Sequence, residues 1–228
     1  MVSSLLGVMN KKQGAAMRIL RQAILLLMSC FTHIAVYGQH RTVQQIVDQV
    51  IHSYNNKDSI AFNALLNKEL GLYFITTLGV NNHWTHTSKI SFNHHTDCSI
   101  NTPYQDFMAQ DQISIPKSKN ITYSDRPFFE CETIYKKGIF VANKGKYHPL
   151  SESIIFYKTH YSGIIGEEIT LDKAQELDLL YSGVKRMENQ SRRIIINSDT
   201  GTFIFYVTKI KGQWWLTIID FASADCSV

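Results

Sequence analysis

His83, His86, His94 and His95 fall in one short polar stretch together with Asp97 and Cys98. Imidazole nitrogens, a carboxylate and a thiolate are the donors of a tetrahedral zinc shell, and His-x-x-His on a helix would aim two imidazoles from one face. Asn81, Asn82 and Trp84 disfavour a helix here. On a strand, residues three apart point to opposite faces. A metal centre at His83, His86, His94 and His95 therefore requires a turn that reunites them. The competing reading is a solvated His- and Asn-rich loop, and no cofactor is expected.

Two further groups invite chemistry. Trp214 and Trp215 are large amphipathic rings suited to ligand stacking, but adjacent strand positions send them to opposite faces. With Phe205 and Tyr206 they are the candidate ligand-binding residues. Asp220 ends an apolar run, "WWLTIID". In a desolvated cavity its carboxyl would resist ionisation and could act as a general base, as in a small hydrolase or isomerase; the alternative is a strand-end carboxylate in water. The chain has no Gly-x-Ser-x-Gly elbow, phosphate loop, dinucleotide fingerprint, His-Glu-x-x-His or Cys-x-x-Cys. Binding is thus favoured over catalysis.

The compartment follows from "AILLLMSCFTHIAVYGQH" and the Arg18 and Arg21 that precede it. A basic segment, an apolar run and small residues before a cut make a secretory signal peptide. Val36 and Gly38 fit the peptidase pocket, so residues 1–38 are expected to leave and Gln39 to begin the mature bacterial protein, with Met17 the natural start. A membrane anchor needs about 20 apolar residues, and Ser29, Thr32 and His33 interrupt this run. A lipoprotein would begin at Cys30, but Met28 and the apolar "FTHIAVYG" fit that poorly. The expectation is an extracytoplasmic protein, periplasmic, surface-bound or secreted, with no membrane span after cleavage.

Removing Lys11, Lys12, Arg18 and Arg21 from the 23 Lys and Arg leaves 19, against 19 Asp and Glu, so the net charge of +4 belongs to the leader. A groove tracking phosphates needs a basic excess, which excludes nucleic acid as the expected partner; a small molecule or another protein remains. Cys98, Cys131 and Cys226 stay with the mature chain, and thiols outside the cytoplasm tend to oxidise. A Cys131–Cys226 bridge would tie the C-terminus to a strand, leaving Cys98 over, although all three pairings stay open.

Residues 39–228 read as a single domain. Val43, Ile46, Val47, Val50, Ile51 and Tyr54 recur at helical spacing behind Thr42 as cap. A second helix is expected over "SIAFNALLNKEL" behind Asp58 or Ser59, ended by Gly71, then a strand in "LYFITTL". A strand over Thr87–Phe92, a short helix in "YQDFMAQ", a surface loop in "PKSKNITYSDRP" and a hairpin of "FFECETI" with "GIFVAN" follow. "PLSESIIFYKTHYSG" and "TLDKAQELDLLYSG" read as helices, closed by Gly163 and opened by Thr170 respectively. The closing "RRIIINS", "TFIFYVTKI" and "QWWLTIIDF", joined by "DTG" and "KG", read as an antiparallel meander. Phe203, Phe205 and Val207 alternate with Ile204, Tyr206 and Ile210, so both faces of the middle strand are apolar: covered on both sides, or lining a pocket on one.

The predicted fold is α+β, with N-terminal and internal helices packed on a curved antiparallel sheet that ends in the meander. Two leading helices, a strand and the final "KGQWWLTIIDF" resemble nuclear transport factor two-like domains. That resemblance implies a curved sheet around a long helix with a cone-shaped cavity, where some members carry a catalytic acid; Asp220 would be the matching acid here. The helices between Leu150 and Gly183 depart from that family's order.

Overall fold

Strand and helix formation start from local hydrogen bonding at the caps. In this computed structural model, which describes residues 41–78, 81–92, 113, 115–117, 119–126, 129–130 and 133–224, Thr42 closes a capping box with Gln45. The Gln45 amide donates to Thr42 Oγ1 at 3.2 Å and the Thr42 amide to Gln45 Oε1 at 2.8 Å, satisfying two orphan donors. Helix α1 (Val43–Asn55) follows, burying the expected apolar stripe. The expected leader (1–38), the 104–110 helix, His94, His95, Asp97 and all four cysteines lie outside the described residues. The Cys131–Cys226 bridge therefore falls outside them as well.

Helix α2 is only Ser59–Asn63, shorter than its apolar pattern implies. Asp58 opens it by accepting from the Ile60 and Ala61 amides. Asn63 ends it, because its side chain bonds the Ile90 backbone in both directions, at 2.7 and 2.8 Å. Beyond it, the Leu65 carbonyl accepts from the Leu216 amide at 2.9 Å. Long-range partners have replaced the helical ones.

Strand β1 (Leu72–Leu78) is where the sequence places it, and it pairs antiparallel with β2 (Asn81–Thr87). The strand expected over Thr87–Phe92 is thus corrected to the preceding segment. The Thr87 hydroxyl donates to the Lys89 carbonyl at 2.7 Å and turns the chain, and Ile90 is held by Asn63 instead of a strand. The expected surface loop contains β3 (Ile121–Tyr123), whose first amide donates to Gln44 of α1 at 3.1 Å. The expected hairpin also divides differently. Strand β4 (Phe129–Glu130) pairs with β5 (Thr133–Ile134), while β6 (Gly138–Val141) joins the main sheet.

Helix α3 (Pro149–Thr159) begins with proline at its first position, as expected. It gives way to α4 (Tyr161–Ile165), which runs through Gly163 and stops at the left-handed Gly166. Thr170 caps α5 (Leu171–Glu188), which continues through Gly183 to Glu188. The meander is β7 (Ser191–Asn197), β8 (Thr202–Ile210) and β9 (Gln213–Asp220). Lys211 and Gly212, both at positive φ (49° and 86°), form the two-residue link between Ile210 and Gln213, the geometry of a type I′ hairpin. A 3₁₀ turn, Ala222–Ala224, follows.

The fold is α+β. The seven-stranded sheet has the order β2-β1-β9-β8-β7-β6-β3, with the three closing strands adjacent. It is mixed and mostly antiparallel, because β1 runs parallel to β9 and β3 parallel to β6. Short turns force the meander to alternate, whereas β1 and β9 are joined through most of the domain, so no local constraint sets their relative direction. One sheet face (Phe74, Ile194, Phe203, Phe205, Val207, Leu216) packs with α1 and α2. The other (Ile75, Phe140, Ile195, Ile204, Tyr206, Ile218) packs under α3 and α5. The middle strand is covered on both sides, which is why its sequence is apolar at nearly every position. Among the described residues, no helix is long and apolar enough to cross a membrane.

Candidate functional site

Helix α5 does not close completely over the sheet, and the gap is a groove of about 580 Å³. Its helical wall is Leu179, Leu180, Val184 and Met187; Tyr73, Thr208 and Ile210 face them from the strands, with Leu70 at one end. Leu179 is 77% exposed, a large apolar side chain left to water beside other apolar surface. Gly183 lies in the same wall, and a Cβ built there meets nothing within 4 Å. Glycine inside a helix costs roughly 0.5–1 kcal/mol relative to alanine, and no packing neighbour demands it here. Its effect is to leave the groove open.

The polar atoms of the floor are already satisfied. The Thr208 hydroxyl lies 2.6 Å from both Ser191 Oγ and Thr217 Oγ1, and Ser191 Oγ donates to the Met187 carbonyl at 2.9 Å. A floor whose hydroxyls bond one another presents little to a polar ligand and suits an apolar one. His86 braces the far wall: its imidazole packs against Tyr73 at a tilt of 42°, with ring centroids 4.5 Å apart, and Nε2 lies 2.7 Å from the Leu70 carbonyl.

A second constellation is buried between the sheet and helices α3 and α5. Asp220 is 1% exposed. Its Oδ1 accepts from the Ser223 amide at 2.9 Å, and its Oδ2 accepts from Ser223 Oγ at 2.6 Å and from Tyr206 Oη at 3.4 Å. Burial raises the Asp220 carboxyl above its ordinary range against the opposing pull of these bonds and of Arg193. Burial and the Asp220 charge push the Tyr206 hydroxyl well up. The Arg193 guanidinium sits 4.7 Å over the Tyr147 ring. Ser223, which bonds Asp220, lines a cleft of about 330 Å³ with Asn81, Asn82, Glu152 and Ser153. In this setting Asp220 caps the turn after β9, as side-chain carboxylates do at turn and helix starts.

Glu188 is fully buried and is not among the candidate residues of the sequence. Its carboxyl accepts from the Leu150 amide at 2.8 Å and the Ser151 amide at 3.2 Å, capping α3 from the end of α5. Burial raises it to about 7, against those bonds. His148 Nδ1 stands 3.8 Å from Glu188 Oε2, and burial, then Lys185, lowers that imidazole's affinity for a proton. One sequence signal was available: an acidic residue in the last turn of a helix opposes the helix dipole and so implies a compensating partner elsewhere.

The residues first singled out are scattered. Strand β2 carries His83 and His86 on opposite faces, and among the described residues no group of three or more His, Cys, Asp or Glu side chains could hold a metal ion. His94 and His95 lie outside them. Phe205 and Trp214 belong to the core on the α1 side and Tyr206 to the core beneath α3 and α5. Trp215 is half-buried with the Arg41 guanidinium 5.5 Å from its ring. Of the groove residues, Gly183 stands at the end of the helix expected from the sequence, Met187 beyond it, and Ile210 at a strand end. Compared with family models, with curated proteins and with solved structures, the chain matches none.

Proposed function

We propose that this chain is an exported small-molecule-binding module whose site is the groove between α5 and the end of β8. The observation that carries the reading is an apolar wall kept open by Gly183 and left to solvent at Leu179. Volume supports it too, since small-molecule sites span roughly 300–1,000 Å³ and the groove measures about 580 Å³. Export rests on the basic and apolar composition of residues 1–38.

A neutral fluorescent apolar probe, N-phenyl-1-naphthylamine, tests the groove directly. The unaltered protein is expected to bind it saturably at one site. Gly183→Leu starts its side chain in open space and is expected to abolish that binding while leaving the thermal unfolding midpoint within a few degrees. Undiminished probe binding by a folded Gly183→Leu protein would falsify the reading.

A further inference from the structure

Resting on the groove reading above, the geometry points to a narrower ligand class: an apolar chain ending in an oxyanion, held at the groove mouth by Arg186 and Lys211. Both residues line the groove and both are exposed. No Asp or Glu is among the residues lining it. The chain from Gln39 onward is formally neutral, so a rim with cations and no acid is a local feature rather than a general excess. Lys209 also borders the groove, but its Nζ sits 6.0 Å over the Trp214 ring, and Trp214 belongs to the core of the opposite sheet face; it is not counted.

The placement of Lys211 is the second, independent observation. It occupies the first central position of the β8–β9 hairpin at φ 49°. A type I′ turn needs positive φ at both central residues and favours Asn, Asp or Gly there. A lysine in this conformation is uncommon and carries a small backbone cost. In this two-residue link its ammonium stands beside the groove. Arg186 reaches the same opening from α5, where its Nε donates to the Ser182 carbonyl at 3.3 Å. That bond uses one donor of the five a guanidinium owns. Among the described residues, neither Arg186 nor Lys211 enters an ion pair. A carboxylate, phosphate or sulfate head between them would gain charge-assisted hydrogen bonds, while its alkyl chain covers Leu180, Val184 and Met187.

Calorimetric titration of the purified chain with dodecanoate, dodecyl phosphate, dodecanol and dodecylamine tests this at low salt. Both anions are expected to bind about tenfold more tightly than dodecanol, the combined scale of two exposed charge pairs, and dodecylamine more weakly than either. Inorganic phosphate alone is expected not to bind, which separates an amphiphile site from a free-anion site. In R186Q/K211N the preference of the anions over dodecanol should vanish. Asn suits the turn better than Lys, so this variant retains the hairpin. Equal affinity for dodecanol and the anions, or a preference surviving the double substitution, overturns the anionic assignment and leaves the groove standing. Failure of every dodecyl compound to bind overturns both.

Discussion

At the scale of single residues, Glu188 is a carboxyl that burial holds far from its ordinary range. Its ordinary pKa is 4.5 and burial holds it at about 7. Between those values the folded chain keeps a proton that the unfolded chain releases, so stability falls as pH rises through this window. The displacement corresponds to about 3 kcal/mol. His148 acts in the opposite sense, because its lowered proton affinity withdraws stability as pH falls below its ordinary 6.5. Glu188→Gln isolates the carboxyl. In urea unfolding at pH 4.5 and pH 8, the unaltered protein should lose about 3 kcal/mol more across the interval than the Gln variant does. Equal losses would show that Glu188 ionises freely in the folded state.

Secondary-structure elements are decided by where their backbone groups find partners, and two glycines show this with opposite signs. Gly71, at φ 65°, opens β1, and a Cβ there would come within 2.5 Å of the Thr87 carbonyl oxygen and His86 Nε2. Gly71→Ala should therefore destabilise the protein by more than about 1 kcal/mol. Gly183, with open space around it in α5, should accept alanine with a gain of up to about 1 kcal/mol. Urea midpoints for the two variants moving in the same direction would contradict this account. The elements that read correctly from sequence are those whose bonds are internal or made across a short turn: α1 behind its Thr42 box, α5 behind Thr170, and the meander. Of those that did not, α2 and β3 owe their limits to bonds between segments far apart in the chain, Asn63 with Ile90, Leu65 with Leu216 and Gln44 with Ile121, whereas β2 pairs with its neighbour β1 and ends at the local Thr87–Lys89 bond.

For the molecule as a whole, the described residues from Arg41 onward belong to one compact unit, and its sheet is buried on both faces. A polypeptide running from Gln39 to Val228 should accordingly fold alone and unfold in one cooperative transition, with urea and heat monitored by fluorescence and circular dichroism in coincidence. Protein recovered from the native host should show Gln39 as its first residue by mass analysis. An acylated Cys30 would instead establish lipidation, and an intact leader would remove the case for export. The candidate site was far less legible than the fold. Trp214 and Phe205 looked like ligand platforms because large aromatics serve cores and pockets alike, and only packing against α1 separates those roles. Gly183 reads as the end of a helix and Glu188 as a residue beyond it, since periodicity reports which face is apolar and not what that face leaves uncovered.

Composition and spacing alone determined the α+β class, the near-neutral charge of the chain after residue 38, the caps at Thr42 and Thr170, and the alternation that makes β8 a strand with two apolar faces. Each depends on neighbours within a few residues, where backbone geometry and side-chain period leave little choice. Tertiary structure alone decided that β1 runs parallel to β9, that Glu188 caps a different helix, and that α5 stands off the sheet to leave a groove beside Lys211. Those outcomes are set by which distant surfaces meet, and a contact between segments far apart in the chain leaves no periodic trace in either one.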